Sequence, residues 1–453
     1  MPLTALDIYK VLPKTNCGEC QFPTCLAFAM QLATKKVSID ACPYASDDAK
    51  ATLAGAAAPP IRLVSVGPEA QCIVMGKETV LFRHEETFYH PTPIAVRVAA
   101  DRPPDDLRAA FERVGRLRFE RVGQDLRVEM LALEDTTGDA QQFAAAATTA
   151  SEMGLALVLM SVSPDALGAA TAAVAKDRPL LYAATADNWQ AVAALARTHK
   201  CPLAVRGHNL DELADLTAKI AQAGVTDLVI DSGARGQAAT LGDLTQIRRL
   251  ALRRTFRPLG YPAMAFITAN DPIDRVIEGT AYICKYAALV VVPNDLEPWQ
   301  ALALLTVRQN IYTDPQKPIQ VEPGLHAVGT PDESSPVLVT TNFSLTYFTV
   351  EADTEASRVP AWMVVVNTDG QSVMTAWAAD KFNAETIAKA LGDSGIGNKV
   401  GHRRAVIPGG IAALSGKLEE LSGWQIMVGP RESAGIPAFM RTKWKQLAAA
   451  AGA

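Results

Sequence analysis

No stretch of the 453 residues is both long and apolar enough to suggest a bilayer span. The most apolar segment, Gly154 to Ala175, is broken by Ser161, Ser163, Pro164 and Asp165. The chain also lacks runs of like charge and any Lys/Arg-rich stripe, and its formal net charge is −5, so nucleic acid and anionic membranes are not indicated as partners. The first ten residues, Met1 to Lys10, have no basic region, no apolar core and no small-residue cleavage site, from which a cytoplasmic protein is expected. Repeats with a period of roughly 20–50 residues are missing too. Cysteine is scarce but unevenly placed, with four of the seven in the first 42 residues. A reducing cytoplasm disfavours disulfides, which leaves metal or redox readings for those four. Cys72, Cys201 and Cys284 lie among strand-like apolar runs and read as buried packing.

What is present falls into three segments. Residues 1–57 hold a short amphipathic stretch, Ala5 to Leu12, a cysteine-bearing loop, and a helical run from Cys25 to Val37 with Leu26, Met30, Ala33 and Val37 on one face. The Ala-rich stretch Ala49 to Pro60 closes this segment with paired prolines, which block helix continuation. Residues 58–325 open with Ile61 to Val66, after which Cys72 to Met75 and Val80 to Phe82 read as a small hairpin. Eight aliphatic runs then alternate with helix-like stretches, starting at Ile94, Val128, Leu155, Leu180, Leu203, Leu228, Ala263 and Ala288. Continuous apolar strands are buried on both faces, so a (β/α)8 TIM-like barrel is expected, with an open doubly wound sheet as the alternative. Residues 326–453, after the Pro-rich stretch Asp314 to Pro323, again alternate strands and helices and read as a Rossmann-like α/β domain.

The sharpest motif is Cys17-Gly18-Glu19-Cys20, then Phe22-Pro23-Thr24-Cys25, then Cys42-Pro43, a C-x2-C-x4-C-x16-C spacing. Three thiolates within nine residues can take three corners of a 4Fe–4S cubane if the loop turns tightly. Gly18 supplies the permissive φ, Pro23 stiffens the way into the helix, and Cys42 returns as the fourth corner. Structural zinc is the alternative, although zinc sites usually carry two C-x2-C pairs and the second is absent here. No acid–base group stands beside the motif, which favours electron delivery over catalysis; Glu19 and Asp40 read as solvent-facing.

At these residues the chain resembles a known family. Asn16 to Ala29 is similar to the N-terminal cluster domain of the large (gamma) subunit of corrinoid/iron–sulfur proteins, which work with acetyl-CoA synthase in the reductive acetyl-CoA pathway. Thr340 to Thr349, Asp369 to Ala378 and Ile407 to Ala412 resemble the same family, so the likeness covers all three segments. It implies a C-terminal corrinoid domain and a small partner subunit with which the cobamide is shared in a heterodimer. It also implies a methyl carrier, of methyltransferase class in the broad sense. Methyl comes from methyltetrahydrofolate through a separate methyltransferase, is accepted on Co(I), and leaves to acetyl-CoA synthase. The 4Fe–4S cluster, held by Cys17, Cys20, Cys25 and Cys42 and fed by a low-potential electron donor, reductively reactivates Co(II).

Six histidines are present, none with Asp two places before it, so the D-x-H-x-x-G signature of His-on corrinoid proteins is absent. That fits cobalt without a strong lower ligand. The candidate cobamide residues are Thr340, Asn342, Thr346, Gly370, Ser372, Val373, Thr375 and Ala376, the last five following the strand Trp362 to Val366. Gly409, Gly410, Ile411 and Ala412 follow the next strand, and Arg431 and Ala434 complete the set, with Thr375 placed nearest the lower cobalt face. Ligands of open α/β sheets sit at such carboxyl ends. Two other readings are carried: a pterin-dependent methyltransferase acting through Asp135, Asp231 and Asn270 at barrel strand ends, and a plain electron-transfer protein.

Overall fold

The computed structural model describes residues 5–33, 37–46, 49–50, 59–444 and 446. Two compact units result, one of Met1–Phe119 with Leu126–Tyr312 and one of Glu120–Asp125 with Thr313–Ala453. No described helix is long and apolar enough to cross a membrane.

The first unit opens with a small lobe in which α1 (Ala5–Val11) packs on α2 (Cys25–Ala33). The remainder of the helical run toward Val37, at 34–36, and the linker at 51–58 with its 57/58 boundary lie outside the described residues. The buried face of α2 is Cys25, Phe28 and Ala29, packed with Ile8, Leu12 and Cys42. This corrects the face read from sequence, since Leu26 and Met30 are 40% and 57% exposed. Phe28 carries the larger apolar surface, and α1 covers that side.

Eight parallel strands then close a barrel, so the open sheet is excluded. Before it, β1 (Val64–Val66) and β2 (Ile73–Met75) pair antiparallel. The barrel starts at β3 (Ile94–Ala99), and a two-stranded ribbon, β4 (Arg118–Arg121) with β5 (Gln124–Arg127), interrupts it. It continues with β6 (Met130–Glu134), β7 (Ala156–Met160), β8 (Leu180–Ala184), β9 (Leu203–Arg206), β10 (Leu228–Asp231), β11 (Ala263–Phe266) and β12 (Ala287–Val292), which returns to β3. On β6, Leu131 and Leu133 pack outward under the helices, whereas Met130 and Ala132 fill the interior. That two-sided burial is why the strands read as unbroken apolar runs. Helix starts are set by side-chain caps: Asp139, Asn209 and Asp271 each accept two backbone N–H groups of the first turn. The helix Gln237–Arg254 begins after Gly236, which at φ 82° turns the chain into it.

The hairpin reading needs correction. Its arms are Val64–Val66 and Ile73–Met75, while Val80 to Phe82 forms no strand. The Val80 carbonyl instead accepts both Nε and Nη2 of the buried Arg248, and the Leu81 carbonyl accepts the Tyr286 hydroxyl, so no ladder is available. Val64, Val66 and Met75 join the interior cluster and plug the amino end of the barrel.

In the second unit a five-stranded sheet runs β13 (Gly324–Val328), β15 (Ala361–Val366), β14 (Val337–Thr341), β16 (Arg404–Ile407), β17 (Gln425–Val428). The Rossmann-like expectation is not confirmed: β15, β14, β16 and β17 run parallel, but β13 lies antiparallel along β15 and makes the sheet mixed. A parallel neighbour needs a crossover, and β13 instead continues directly from the extended stretch before it. Helices α3 (Ser344–Ala356), α4 (Val373–Ala378), α5 (Ala384–Asp393), α6 (Ser415–Ser422) and α7 (Ile436–Phe439) belong to this unit.

His402 links β16 to the loop before β14. Its Nδ1 accepts the Arg404 N–H at 3.2 Å, so Nε2–H donates to the Ser335 carbonyl at 3.0 Å. Burial lowers its pKa. A depressed folded value means the contribution is complete above the unfolded histidine pKa of about 6.5 and is lost as pH falls through the folded value. His402→Gln should therefore flatten the fall in urea midpoint between roughly pH 7 and 5. Parallel wild-type and variant curves would remove His402 as the cause.

Candidate functional site

The four thiols share the N-terminal lobe. Four residues of the cysteine loop take positive φ, namely Lys14 at 58°, Asn16 at 48°, Gly18 at 77° and Gln21 at 68°. Such reversals of handedness turn backbone N–H groups inward and build concavities of the kind found at iron–sulfur sites. Asn16 braces the helix entry: its Oδ1 accepts Cys25 N–H at 2.8 Å, and its own N–H donates to Cys25 Sγ at 3.4 Å. The returning segment is tied down as well, because the Tyr44 hydroxyl, two residues past Cys42, donates to Glu19 Oε1 at 2.8 Å. That bond raises the Tyr44 pKa and brings the Cys42 segment over the Cys17–Cys20 loop. Glu19 is thus a tether as well as an exposed carboxylate. Cys25 and Cys42 are buried, Cys20 is half-buried and Cys17 is exposed. Among the described residues no three His, Cys, Asp or Glu side chains converge closely enough to hold a metal ion.

Of the remaining cysteines, Cys201 is buried, which pushes its thiol up to about 11. Cys284 is half-buried, but Cys72 is exposed, against expectation. It caps the short turn Glu69–Gln71, and Ile73 is the first residue of the strand that follows.

A pocket of about 420 Å³ opens at the carboxyl ends of β14 and β16, lined by Thr340, Thr346, Ser372, Val373, Gly410 and Arg431. These six come from four separate stretches of sequence. Phe343, Met374, Pro408 and Pro430 also line it, apolar residues outside the candidate set, although the first three lie within the stretches that resemble the family. Gly409 lies just behind, where a Cβ would meet the Gly429 carbonyl oxygen at 2.6 Å, so the two loops approach only because that atom is missing. Asn342 and Gly370 are not pocket walls. The buried Asn342 Oδ1 accepts Thr368 N–H, Thr368 Oγ1–H and Gly370 N–H at 2.9–3.0 Å, and Nδ2 donates to Gln320 and Asn367. Asn342 therefore holds the loop that leads into α4. Ala376 and Ile411 are core residues at 0% exposure, Ala412 is half-buried, and Ala434 is exposed. Thr375 is exposed, with Oγ1 3.0 Å from Ser372 Oγ. Thr340, Thr341, Ser344 and Gln371 each hold a buried side-chain oxygen without a hydrogen-bond partner among the described residues. Buried polar groups are rarely left so. The pocket lining is mostly neutral donors and small or apolar residues, with one arginine and one carboxylate, Arg431 and Glu432.

The mouth of the barrel is occupied by its own side chains. Tyr182 donates to Asp231 Oδ2 at 2.7 Å, Arg235 donates to both Asp231 oxygens at 2.9–3.0 Å, and the guanidinium lies 4.3 Å from the Phe266 ring centre. Burial, and then the Asp231 charge, push the Tyr182 phenol far up, so it remains a donor. Asp135 is likewise engaged, by Ser161 Oγ and the Thr137 and Gly138 N–H groups. Asn270 is exposed. A cavity of about 20 Å³ between Glu78, His90, Arg248 and Tyr312 has room for one water.

Comparison with known proteins bears on both parts. The family described as CO dehydrogenase/acetyl-CoA synthase delta subunit matches residues 63–440, and an Fe-S cluster family matches residues 12–44. The corrinoid/iron-sulfur protein large subunit of Moorella thermoacetica is 50% identical over 97% of this chain and 99% of its own length. The acetyl-CoA decarbonylase/synthase complex subunit gamma of Methanothermobacter thermautotrophicus is 37% identical over 97% and 99%. Among solved structures, dihydropteroate synthase from Thermus thermophilus covers 49% of this chain and 94% of its own, at 17% identity and a TM-score of 0.38. With such identity along nearly all of both chains, the chain belongs to the family of corrinoid/iron–sulfur protein large subunits and acetyl-CoA decarbonylase/synthase gamma subunits.

Proposed function

We propose that the chain is a cytoplasmic methyl carrier built as three working parts, a 4Fe–4S module in residues 1–57, a barrel in 58–325 and a cobamide-binding domain in 326–453. The observation that carries this reading is the pocket of about 420 Å³, whose wall residue Thr340 ends in a buried hydroxyl without a partner among the described residues. A cobamide, with its peripheral amides and its phosphate tail, has the groups to satisfy such an atom. The pocket encloses only part of so large a ligand, which leaves the rest to a small partner subunit in a heterodimer.

When bound, the cobamide supplies a cobalt centre that accepts a methyl group from methyltetrahydrofolate through a methyltransferase and yields it to acetyl-CoA synthase. This chain's residues bind and orient. Thr340, Thr346, Ser372, Val373, Gly410 and Arg431 form the wall, Asn342 and Gly370 hold the loop before α4, and Gly409 lets the two strand-end loops close. Ala376, Ile411, Ala412 and Ala434 support these segments, and Thr375 would stand near the bound cobamide as a neutral neighbour. Cys17, Cys20, Cys25 and Cys42 would hold the cluster, which would supply electrons from a low-potential donor to the cobalt. The inward backbone N–H groups of the cysteine loop suit a reduced, negatively charged cluster.

The test is a count of iron and cobalt on the chain with and without its small partner, joined to the absorption spectrum. Iron together with corrinoid bands in the heterodimer is the expected result; iron without cobalt would leave only the electron-transfer reading. Thr375→His should add nitrogen coupling to the cobalt(II) electron paramagnetic resonance signal and make reduction harder. Coupling already present in the wild type would remove the His-off assignment.

A further inference from the structure

The helix Gln237–Arg254 carries four arginines and one carboxylate, Asp243, in a chain whose net charge is −5. Arg248 is buried and engaged by the Val80 carbonyl and Glu78. The other three, Arg249, Arg253 and Arg254, are exposed, and none makes a hydrogen bond or ion pair among the described residues. Arg249 and Arg253 lie four apart, on one face with Gln246 and Leu250, and with Arg254 they line a shallow hollow of about 410 Å³. Arginines in the last turn complement the helix dipole, which accounts for Arg253 and Arg254 but not for Arg249 a turn earlier. Nor does it account for the positive charge beyond the helix. Arg257 and Arg62 stand close enough that the Arg62 charge adds to burial in lowering the Arg257 pKa. Lys77, whose N–H donates to the Ile61 carbonyl, is exposed beside them, and Phe256 is an apolar centre at 40% exposure.

This basic surface borders the place where the N-terminal lobe is tied to the barrel. Arg257 Nη1 donates to the Pro59 carbonyl at 2.8 Å, and the Arg62 N–H donates to the Gly260 carbonyl at 2.9 Å. Pro59 is the first described residue after the linker, so the tether of the cysteine lobe ends against Arg257, three residues past Arg254. We propose that this face, with Arg62, Lys77, Arg249, Arg253 and Arg254 around Phe256, docks the low-potential electron donor, a small acidic iron–sulfur protein. The proposal rests on the 4Fe–4S reading of the four N-terminal cysteines and adds where the donor lands. A net negative chain repels an acidic carrier except where its own charge is reversed, and a complementary patch both steers the encounter and fixes its place. A carrier held at the root of the tether is held within reach of the lobe. In the transfer one electron leaves the reduced carrier, which is oxidised, and enters the cluster, which is reduced by one; no bond is made or broken.

The experiment uses the full chain with its small partner and, as probe, an acidic two-cluster ferredoxin. Association is followed with oxidised ferredoxin at low and at physiological salt. Reduction of the chain is followed with reduced ferredoxin and with reduced methyl viologen, a small cation that gains nothing from a basic face. The triple variant Arg249→Gln, Arg253→Gln, Arg254→Gln should slow association at low salt by about tenfold or more and flatten its salt dependence. Reduction by ferredoxin should fall alike, and reduction by methyl viologen should stay unchanged. Lysine at the same three positions keeps the charge and should keep the association. A lower urea midpoint with unchanged association would leave the arginines a role at the helix end only and overturn the docking face. So would loss of association in the lysine variant, or sedimentation showing that wild type self-associates through these arginines, which would make a second copy the occupant. Wild type without iron would remove the cluster reading instead, whereas binding of oxidised ferredoxin judges the face alone.

Discussion

Cys25→Ala is expected to empty the N-terminal lobe of iron altogether, taking the chain from about four irons to none. Cys25 begins α2, is 6% exposed, and takes its backbone and sulfur contacts from Asn16, so it stands where the loop and the lobe core meet. Cys42, at 4% exposure, is buried in the same lobe core, and its replacement should do the same. The lobe core is small, led by Ile8, Leu12, Phe28 and Ala29, and a core of that size seldom holds by itself. Loss of the cluster should accordingly make residues 5–46 sensitive to protease while the barrel stays resistant. Replacing Cys72, Cys201 or Cys284 should leave the iron count unchanged. Cys20→Ala should also stop reactivation of cobalt(II) by a low-potential donor, yet spare methyl transfer by protein reduced chemically beforehand. Stoichiometric zinc in anaerobically prepared wild type, or iron retained in the Cys25 variant, would overturn the cluster assignment.

The second large effect is on stability. Asp231→Ala should destabilise the barrel by about 3 kcal/mol, because it leaves a guanidinium and a phenol facing a site where the carboxylate was 1% exposed. The lower end of the usual range applies, since the Arg235 side chain is 31% exposed and water can reach it. Asp231→Asn keeps one acceptor oxygen and should cost less. Replacing Asp231 and Arg235 together by apolar residues of similar size should recover much of the loss, as removal of a whole buried pair often does. Urea unfolding of the four proteins measures this. A cost for Asp231→Ala below about 1 kcal/mol would mean the network does not hold the barrel mouth shut. The pterin-methyltransferase reading would then regain a free carboxylate. As the contacts stand, Asp231 is fully engaged by Tyr182, Arg235 and the Gly233 N–H.

Sequence by itself determined the barrel strands, the lobe that carries the four N-terminal cysteines and the stretches around the pocket. Each of these is a local pattern. A strand buried on both faces must be a continuous apolar run, as Ala156–Met160 is, and eight such runs in βα order leave few topologies. Cysteines within one loop are neighbours in space wherever the rest of the chain goes. Tertiary structure decided the rest, because it turns on which distant atoms meet. Val80 to Phe82 has the composition of a strand arm, yet Arg248, 168 residues away in sequence, takes the Val80 carbonyl. Leu26 and Met30 have helical spacing, but the side of α2 that α1 covers is the one bearing Phe28. Asn342 reads as a ligand contact until its amide is seen joined to Gln320, Asn367, Thr368 and Gly370.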